Sequence, residues 1–172
     1  MTDYYMQIQV IGSTELARDA FSQVINVLHG IYKDEGSSPL GVSFPYWQNH
    51  TDESKTTLGN EMRLFGDKFH LISFSRNADI NTLEESGIVK IRQIKATPED
   101  AVNTVVKRDR SIERYKKNGW PIKKMLPYIK YRSRRTKCSF SLFVDTKPAL
   151  ERKAGGFSTY GFSKSGSTVP YF

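Results

Sequence analysis

Strand and helix periodicities alternate along the first 96 residues, and this alternation limits the possible fold more than any other feature. From Tyr4 to Ile11, apolar and polar residues alternate with the period of a strand. Ser13 or Thr14 can then cap a helix that we expect to continue to about Lys33. Its apolar residues form one stripe, which consists of Ala17, Ala20, Phe21, Val24, Leu28 and Ile31. This stripe predicts that the helix packs on a sheet.

The following segments complete a six-element pattern. We predict short strands at residues 41–44 and 61–65, and a strand with clean alternation at 88–96. Asp67 can cap a short helix that extends to Phe74, although the alternation in this segment also fits a strand. The order β-α-β-β-α-β predicts an α+β protein with an N-terminal ferredoxin-like domain, which is a common scaffold of RNA-binding proteins.

A long basic helix is predicted after residue 96. Thr97 and Pro98 resemble a helix start, and Gly119 a helix stop after about Asn118. One face of this helix would be apolar, with Ala101, Val105, Ile112 and Tyr115. The opposite face would carry Asn103, Lys107, Arg110, Arg114 and Lys117. A face without acids suits a phosphate-lined groove, whereas ordinary solvent-exposed faces usually mix both signs of charge.

Positive charge is concentrated in the second half of the chain. The net charge is +8, but residues 1–86 have 6 Lys and Arg against 12 Asp and Glu, and residues 87–172 have 20 against 6. A half this basic favours a polyanion, because Lys and Arg release the counterions that surround nucleic acids. Nucleic acid is therefore the first candidate partner, and a well-solvated basic surface without a ligand is the alternative.

The C-terminal part combines short strands with a basic turn. We predict strands at 128–131 and 139–144, joined by the turn from Arg132 to Lys137, which forms a candidate anion site. The segment from Gly155 to Phe172 is rich in glycine and aromatic residues, a weak signal for a phosphate cradle. Together these patterns predict a ferredoxin-like domain at 1–96 and a nucleic-acid-binding domain at 97–172.

Several classes of protein are disfavoured by residues that the sequence lacks. The chain has one cysteine, Cys138, no closely spaced histidine pair and no carboxylate cluster, so the sequence predicts neither a metal site nor another cofactor. It has no apolar run of membrane-spanning length and no export signal, so we expect a soluble, cytoplasmic protein. Among three histidines, His29 lies at the border of the apolar stripe, where a packing role and a catalytic role are both open.

Several motifs, taken in order, resemble one known family. They are VLHGIY around His29, GVSFP at 41–45, LGNEMRLFG at 58–66 and the C-terminal GGFSTYGFSKSGSTVPYF. The chain is similar over nearly its whole length to the CRISPR repeat-processing endoribonucleases of subtype I-F systems. This resemblance implies a metal-independent enzyme that binds one stem-loop of precursor CRISPR RNA, as a monomer per hairpin. It also implies cleavage at the base of the stem, after which the protein stays on the 3′ hairpin of the crRNA as a subunit of the surveillance complex.

The resemblance also implies roles for individual residues. In the family, a ribose 2′-OH attacks the adjacent phosphate, which leaves a 2′,3′-cyclic phosphate and a 5′-OH. His29 matches the general base, Ser133 the serine that positions the ribose, and Tyr160 the tyrosine that orients the histidine. Phe140 matches the aromatic residue that stacks below the stem. The full set of predicted RNA-binding residues is Arg92, Gln93, Asn103, Lys107, Arg108, Arg110, Arg114, Lys117, Arg132, Arg134, Arg135, Lys137 and Phe140.

Three departures from the family pattern affect the RNA-binding residues. Arg135 replaces a second serine of the family's basic turn. Arg92 and Gln93 are adjacent, whereas the family separates its purine-reading Arg and Gln by one residue, and adjacent strand residues face opposite sides. The first half of the family's helix is denser in arginine, whereas this chain has Asn103 and Thr104 there. We therefore expect RNA affinity to depend more on the later cations of the helix and on the basic turn.

Two other functions remain open from the sequence. The first is an RNA-hairpin-binding subunit that does not cleave. The second is a duplex-DNA-binding protein of unrelated function, for which the 2′-OH would be irrelevant.

Overall fold

Two antiparallel sheets and four helices make up the part of the chain described by the computed structural model, which is residues 2–122, 125–133 and 136–172. The first half contains β1 (Tyr4–Val10), α1 (Thr14–Tyr32), β2 (Gly41–Ser43), β3 (Glu61–Gly66), α2 (Lys68–Ser75), α3 (Ala78–Glu85), β4 (Val89–Ile91) and β5 (Lys95–Ala96). The second half contains β6 (Val102–Asp109), α4 (Ser111–Asn118), β7 (Tyr128–Arg132), β8 (Ser139–Ala149) and β9 (Val169–Tyr171).

The first sheet has the strand order β2-β3-β1-β4, with β5 also paired to β1. This order, with antiparallel pairing throughout, confirms the ferredoxin-like prediction. The predicted cap of α1 is also confirmed, since Ser13 Oγ accepts a hydrogen bond from the Leu16 N–H. The predicted stripe of α1 is buried apart from Ile31 at its end, because it packs on the sheet.

The connection from β3 to β4 contains two helices rather than one. The Asp67 carboxylate caps α2 by accepting from the His70 N–H, so the helix predicted there is confirmed and the alternative strand is wrong. The second helix, α3, was not predicted; the Asn77 side chain caps it by accepting from the Asp79 N–H. Only Ile80 and Leu83 of α3 are buried, so its apolar periodicity is too short to be recognised in the sequence.

A bulge interrupts the strand that was predicted at 88–96. Ile8 lies opposite Ile91, whereas Tyr5 lies opposite Lys95. Between these pairs β1 contributes residues 6 and 7, whereas its partner contributes residues 92–94. The partner therefore has one extra residue, which is the mark of a β-bulge. The clean alternation predicted for this segment is therefore wrong at residues 92–94.

The second sheet, in the order β7-β8-β6-β9, corrects the predicted basic helix. The first half of that segment is the central strand β6, and only α4 is helical. Thr104 and Val106 are buried while their neighbours are not, which is strand alternation. β-Branched residues suit such a strand, and pairing with the distant β8 and β9 outweighs the local helical spacing. The predicted stop is correct, since Gly119 caps α4 with φ of 65°.

One hydrophobic core extends from the first sheet through α1 to the second sheet. It includes Met6 of β1, Phe21 of α1 and Leu142 of β8. The strands of the two sheets lie on either side of residue 96, and the division into domains at this residue remains a prediction. No helix within the described ranges is long and apolar enough to span a membrane.

Substitution of two glycines tests how tightly the C-terminal segment packs on α1. Gly161 has φ of +80°, and a Cβ there would lie 2.6 Å from Val42 Cγ1 and 2.9 Å from Leu28 Cδ2. Gly36 has a similar φ of +70°, but a Cβ there would have no neighbouring atom within 4 Å. Gly36→Ala should lower the free energy of unfolding by about 1–2 kcal/mol through backbone strain alone. Gly161→Ala should cost a further ~1–3 kcal/mol through overpacking.

Urea denaturation of both variants measures this difference. Equal losses of stability would contradict the close packing of Gly161 on Leu28.

Candidate active site

His29 lies in the last turn of α1, on the side of the helix that faces the second sheet. Its neighbour Leu28 is fully buried and anchors this turn in the core. The His29 side chain itself is only half-buried. The end of the helix therefore presents a fixed imidazole at the surface.

Helix α1 and strand β7 run side by side and bring the end of β7 towards His29. Arg18 Nη1 donates to Tyr128 Oη at 3.1 Å, and Ser22 Oγ donates to the Lys130 carbonyl. One helical turn rises about 5.4 Å and two strand residues span about 6.6 Å, so the two elements advance together. The turn that contains His29 therefore lies beside the end of β7, which Ser133 follows directly.

The turn at residues 158–162 lies against His29, although the two are far apart in the sequence. The Gly161 N–H donates to the Ser158 carbonyl at 2.7 Å, and the Val42 N–H donates to the Gly161 carbonyl at 2.9 Å. The Ser163 N–H donates to the Val106 carbonyl, which ties the turn to β6 as well. Because the turn is fixed to both sheets, Thr159 and Tyr160 have defined positions against α1.

The His29 ring contacts the side chains of Tyr160, Tyr131 and Thr159. The Tyr160 ring stacks on it with a centroid distance of 4.5 Å and an interplanar angle of 6°. The Tyr131 ring meets it edge-on, with centroids 5.9 Å apart. Thr159 Oγ1 lies 2.8 Å from His29 Nδ1, within hydrogen-bonding distance. The stack fixes the plane of the imidazole, and the hydrogen bond engages one of its two nitrogens.

The pKa of His29 is lowered from its usual value of 6.5. The larger cause is burial, which disfavours the charged imidazolium. The smaller cause is repulsion by the ammonium group of Lys33, which follows His29 by one helical turn. At pH 7 the imidazole is therefore mostly neutral, which is the state required of a general base.

Phe140 connects to the histidine through Tyr131. The Tyr131 ring packs at 4.9 Å from Phe140 and at 5.2 Å from Tyr160, measured between ring centroids. The Arg108 guanidinium lies over the Phe140 ring at 5.0 Å, and its Nη2 contacts both Glu113 carboxylate oxygens at 3.2 Å. Phe140 therefore belongs to the aromatic cluster around His29, and Arg108 is engaged by Phe140 and Glu113.

Ser133 begins the hairpin that follows β7. Its N–H donates to the Cys138 carbonyl, and its Oγ accepts from the Thr136 N–H at 3.2 Å. Lys137 has φ of 59°, which helps the chain to reverse direction here, and both Lys137 and Arg132 are exposed. The predicted RNA-binding residues Arg134 and Arg135 lie outside the described residues.

The single basic face predicted for a long helix is wrong, because the five residues belong to two elements. Asn103 and Lys107 share one face of β6, opposite to that of Arg108. Arg110 is the N-cap residue of α4, and Arg114 and Lys117 follow at helical spacing, away from the buried Ile112. These three α4 cations are exposed. The structure thus forms a shorter basic face at Arg110, Arg114 and Lys117, which we call the α4 basic face.

The bulge between β4 and β5 places Arg92 and Gln93 in one groove. This groove of about 470 Å³ on the first sheet is lined by Tyr5, Gln7, Lys90, Ile91, Arg92, Gln93 and Lys95. Arg92 Nη2 donates to Gln9 Oε1 at 2.8 Å. The strand alternation that would separate Arg92 from Gln93 does not apply within a bulge. Arg92 and Gln93 are adjacent in the sequence, unlike the spaced pair of the family, but both line the same groove.

Some of the residues around His29 were not predicted from the sequence. Tyr131 and Thr159 contact His29, and Lys33 lowers its pKa. A signal for Tyr131 exists in the alternation of β7, where Ile129 and Tyr131 are the buried positions. Thr159 has no such signal, since its contact with His29 joins residues 130 positions apart. Within the described ranges, no three His, Cys, Asp or Glu residues cluster in a way that could hold a metal ion.

A family model and a known protein both match nearly the whole of this chain. The family model of the CRISPR-associated protein Cas_Csy4 matches residues 5–121 and 111–172. A protein of Pseudomonas aeruginosa (strain UCBPP-PA14), named CRISPR-associated endonuclease Cas6/Csy4, is 26% identical over 191 aligned residues. This alignment covers 99% of the chain and 100% of the relative.

Removal of the Lys33 charge tests the electrostatic part of the His29 environment. In Lys33→Gln the pKa of His29 should rise towards 6.5 but remain below it, because burial is the larger cause and persists. NMR titration of the His29 ring signals in the free protein measures the value. Lys90→Gln, on β4, removes an equal charge and should leave the His29 titration unchanged. An unchanged pKa in Lys33→Gln would contradict the assigned repulsion.

Proposed function

Because the chain belongs to the family of CRISPR-associated Csy4 proteins, we propose that it is an endoribonuclease that processes CRISPR repeat RNA. The similar protein of Pseudomonas aeruginosa is named an endonuclease. The observation that carries the proposal is the His29 imidazole, which is stacked on Tyr160 and hydrogen-bonded to Thr159, and whose pKa is lowered by burial. A neutral, oriented imidazole at the protein surface suits proton abstraction from a ribose hydroxyl.

The proposed reaction is a single transesterification without a metal ion. The ribose 2′-OH loses its proton to His29, and its oxygen attacks the adjacent phosphorus in line with the leaving group. The bond between phosphorus and the 5′ oxygen of the next nucleotide breaks as the bond between phosphorus and the 2′ oxygen forms. The products are a 2′,3′-cyclic phosphate and a 5′-OH, since the leaving 5′ oxygen takes up a proton.

Two further residues are proposed to position the reacting ribose and the base. Tyr160 holds the plane of the His29 ring through the stack. Ser133 directly follows β7, which advances beside α1 towards His29, and its hydroxyl is proposed to orient the ribose. Correct placement of reacting groups can supply a large part of a rate enhancement, because the entropy of orientation is lost before the reaction.

RNA binding is proposed to involve three surfaces of the protein. The α4 basic face and the cations of the basic turn contact phosphates of the hairpin stem, while Arg92 and Gln93 contact bases from their groove. Phe140 stacks below the terminal base pair, where one such contact contributes about 1–3 kcal/mol. Because Arg108 lies over this ring in the free protein, stacking on that face requires its guanidinium to move.

After cleavage, the protein is proposed to stay on the 3′ hairpin of its product and to act there as a subunit of the type I-F surveillance complex. One protein chain binds one hairpin. The alternative is a subunit that binds the hairpin without cleaving it, and the same cleavage experiment distinguishes the two functions.

The cleavage experiment uses the repeat RNA from the protein's own genome in excess EDTA. We expect one cut that leaves a cyclic phosphate and a 5′-OH, and no cut when the scissile ribose is 2′-deoxy. His29→Ala should slow cleavage by about 10²–10⁴-fold, since this is the usual contribution of a general base, with RNA affinity unchanged. Single-turnover kinetics and analysis of both product ends are the measurements.

The matched control for this experiment is His70→Ala, which removes another partly exposed imidazole, one paired with Asp67. It should cleave at the wild-type rate. Tight binding of the RNA without any cut by the wild-type protein would support the non-cleaving alternative. Cleavage of the 2′-deoxy substrate would rule out attack by the 2′-OH.

Salt dependence of RNA affinity tests the α4 basic face. Arg110→Gln, Arg114→Gln and Lys117→Gln should each reduce the slope of log affinity against log salt by about 1, because each variant loses one phosphate contact. Arg76→Gln removes an exposed cation at the end of α2 and should leave the slope unchanged. An unchanged slope in all three α4 variants would place the phosphate contacts elsewhere. Excess duplex DNA should not compete with the hairpin.

A further inference from the structure

Thr159 contacts His29 but has no role of its own in the proposed mechanism. Its Oγ1 lies 2.8 Å from His29 Nδ1, and it directly precedes Tyr160, whose ring stacks on the same imidazole. Two adjacent residues of one turn therefore hold the histidine in different ways. One contacts the face of the ring, and the other contacts an atom at its edge.

The stack alone leaves the orientation of the imidazole ambiguous. The Tyr160 and His29 rings are almost parallel, with an angle of 6° between them. A rotation of the imidazole by half a turn about its Cβ–Cγ bond keeps the same plane and the same stack. The rotation does exchange the position of Nδ1 with that of Cδ2. Because only one of the two orientations places Nδ1 against Thr159 Oγ1, the hydrogen bond selects between them.

The hydrogen bond also bears on which nitrogen carries the proton. A neutral imidazole has one N–H donor and one acceptor, and the hydrogen bond made by one nitrogen sets the state of the other. Nδ1 is engaged by the protein, so Nε2 is the nitrogen left for a substrate. Nε2 can take a proton only if Nδ1 already holds one. A threonine hydroxyl has two lone pairs and can accept that Nδ1–H bond.

We infer that Thr159 is a positioning residue for the general base: its hydroxyl accepts the Nδ1 proton of His29 and leaves the Nε2 lone pair directed at the substrate. The inference rests on the proposed role of His29. As the 2′-OH proton moves to Nε2, the ring becomes an imidazolium that carries both N–H protons. The Nδ1–H bond to Thr159 persists and strengthens, because hydrogen bonds from charged donors are stronger.

The surrounding charges are compatible with this arrangement. The pKa of His29 is lowered by burial and by Lys33, so the protein environment disfavours a cation in the resting state. A hydroxyl acceptor favours the charged form without adding a negative charge, unlike the carboxylate that orients histidine in many hydrolases. Thr159 therefore supports the transferred proton while the resting imidazole stays neutral.

The turn fixes Thr159 as firmly as it fixes Tyr160. Gly161 packs against Leu28, the residue before His29, and its carbonyl accepts from the Val42 N–H. The hydroxyl of Ser158 accepts from the Phe162 N–H at 3.1 Å, which closes the turn with a side chain other than that of Thr159. Loss of the Thr159 hydroxyl should therefore leave the turn folded.

The first measurement concerns the free protein and needs no cleavage. Long-range ¹H–¹⁵N correlation spectra at a pH well above the His29 pKa report which ring nitrogen is protonated. We expect the Nδ1–H form in the wild type and in Thr159→Ser, and a shift towards the Nε2–H form in Thr159→Val, which keeps the shape of threonine without its hydroxyl. A wild-type protein in the Nε2–H form would overturn the inference.

The second measurement is the pH dependence of single-turnover cleavage. Thr159→Val should lower the rate by about tenfold, because one hydrogen bond is lost, whereas His29→Ala removes the whole base. Loss of an acceptor for the imidazolium should also move the apparent pKa of the base to a lower value. Thr159→Ser should restore both the rate and the pH profile. RNA affinity should be the same in all these variants.

Two controls separate this inference from a structural effect and from the proposed function. Thr82→Val replaces an exposed hydroxyl on α3 that bonds only within its own helix, and it should match the wild type in rate and pH profile. A wild-type rate and pH profile in Thr159→Val would refute the positioning role. If His29→Ala cleaves as fast as the wild type, the proposed base is wrong, and the spectra still decide which tautomer Thr159 selects.

Discussion

The packing of α1 between the two sheets is the contact on which the rest of the structure depends. Its apolar stripe covers the first sheet, while Arg18 and Ser22 bind β7 of the second. The last turn of the helix is held from the other end of the chain, because Gly161 lies against Leu28. These contacts bring His29 together with Thr159 and Tyr160, although about three quarters of the sequence separates them.

The aromatic residues around His29 have two effects at once. They bury part of the imidazole, which lowers its pKa and keeps it neutral, and they hold its plane. The same cluster continues through Tyr131 to Phe140, so the proposed base and the proposed stacking platform belong to one packed unit. A nucleic acid that stacks on this unit would therefore lie at a fixed distance from the His29 imidazole.

Local patterns predicted two kinds of element. One kind contacts residues that are close in the sequence, and the other has a long periodicity. The 19-residue α1, its Ser13 cap and the helix capped by Asp67 are of these kinds. Strand β6 lies in a segment whose residues recur at spacings of three and four, so a helix is predicted there. Its true partners, β8 and β9, lie far along the chain, and pairing with them decides its structure.

The sequence by itself determined the ferredoxin-like order of the first half, the basic character of the second half and the identity of His29, Tyr160 and Phe140 as candidates. Only the tertiary structure decided that Thr159 and Tyr131 contact the imidazole and that its pKa is lowered. It also decided that the cations predicted for one helix are divided between β6 and α4. The physical reason is that periodicity records which residues are buried within one element. Contacts between distant elements, and the electrostatic environment they create, depend on how those elements pack.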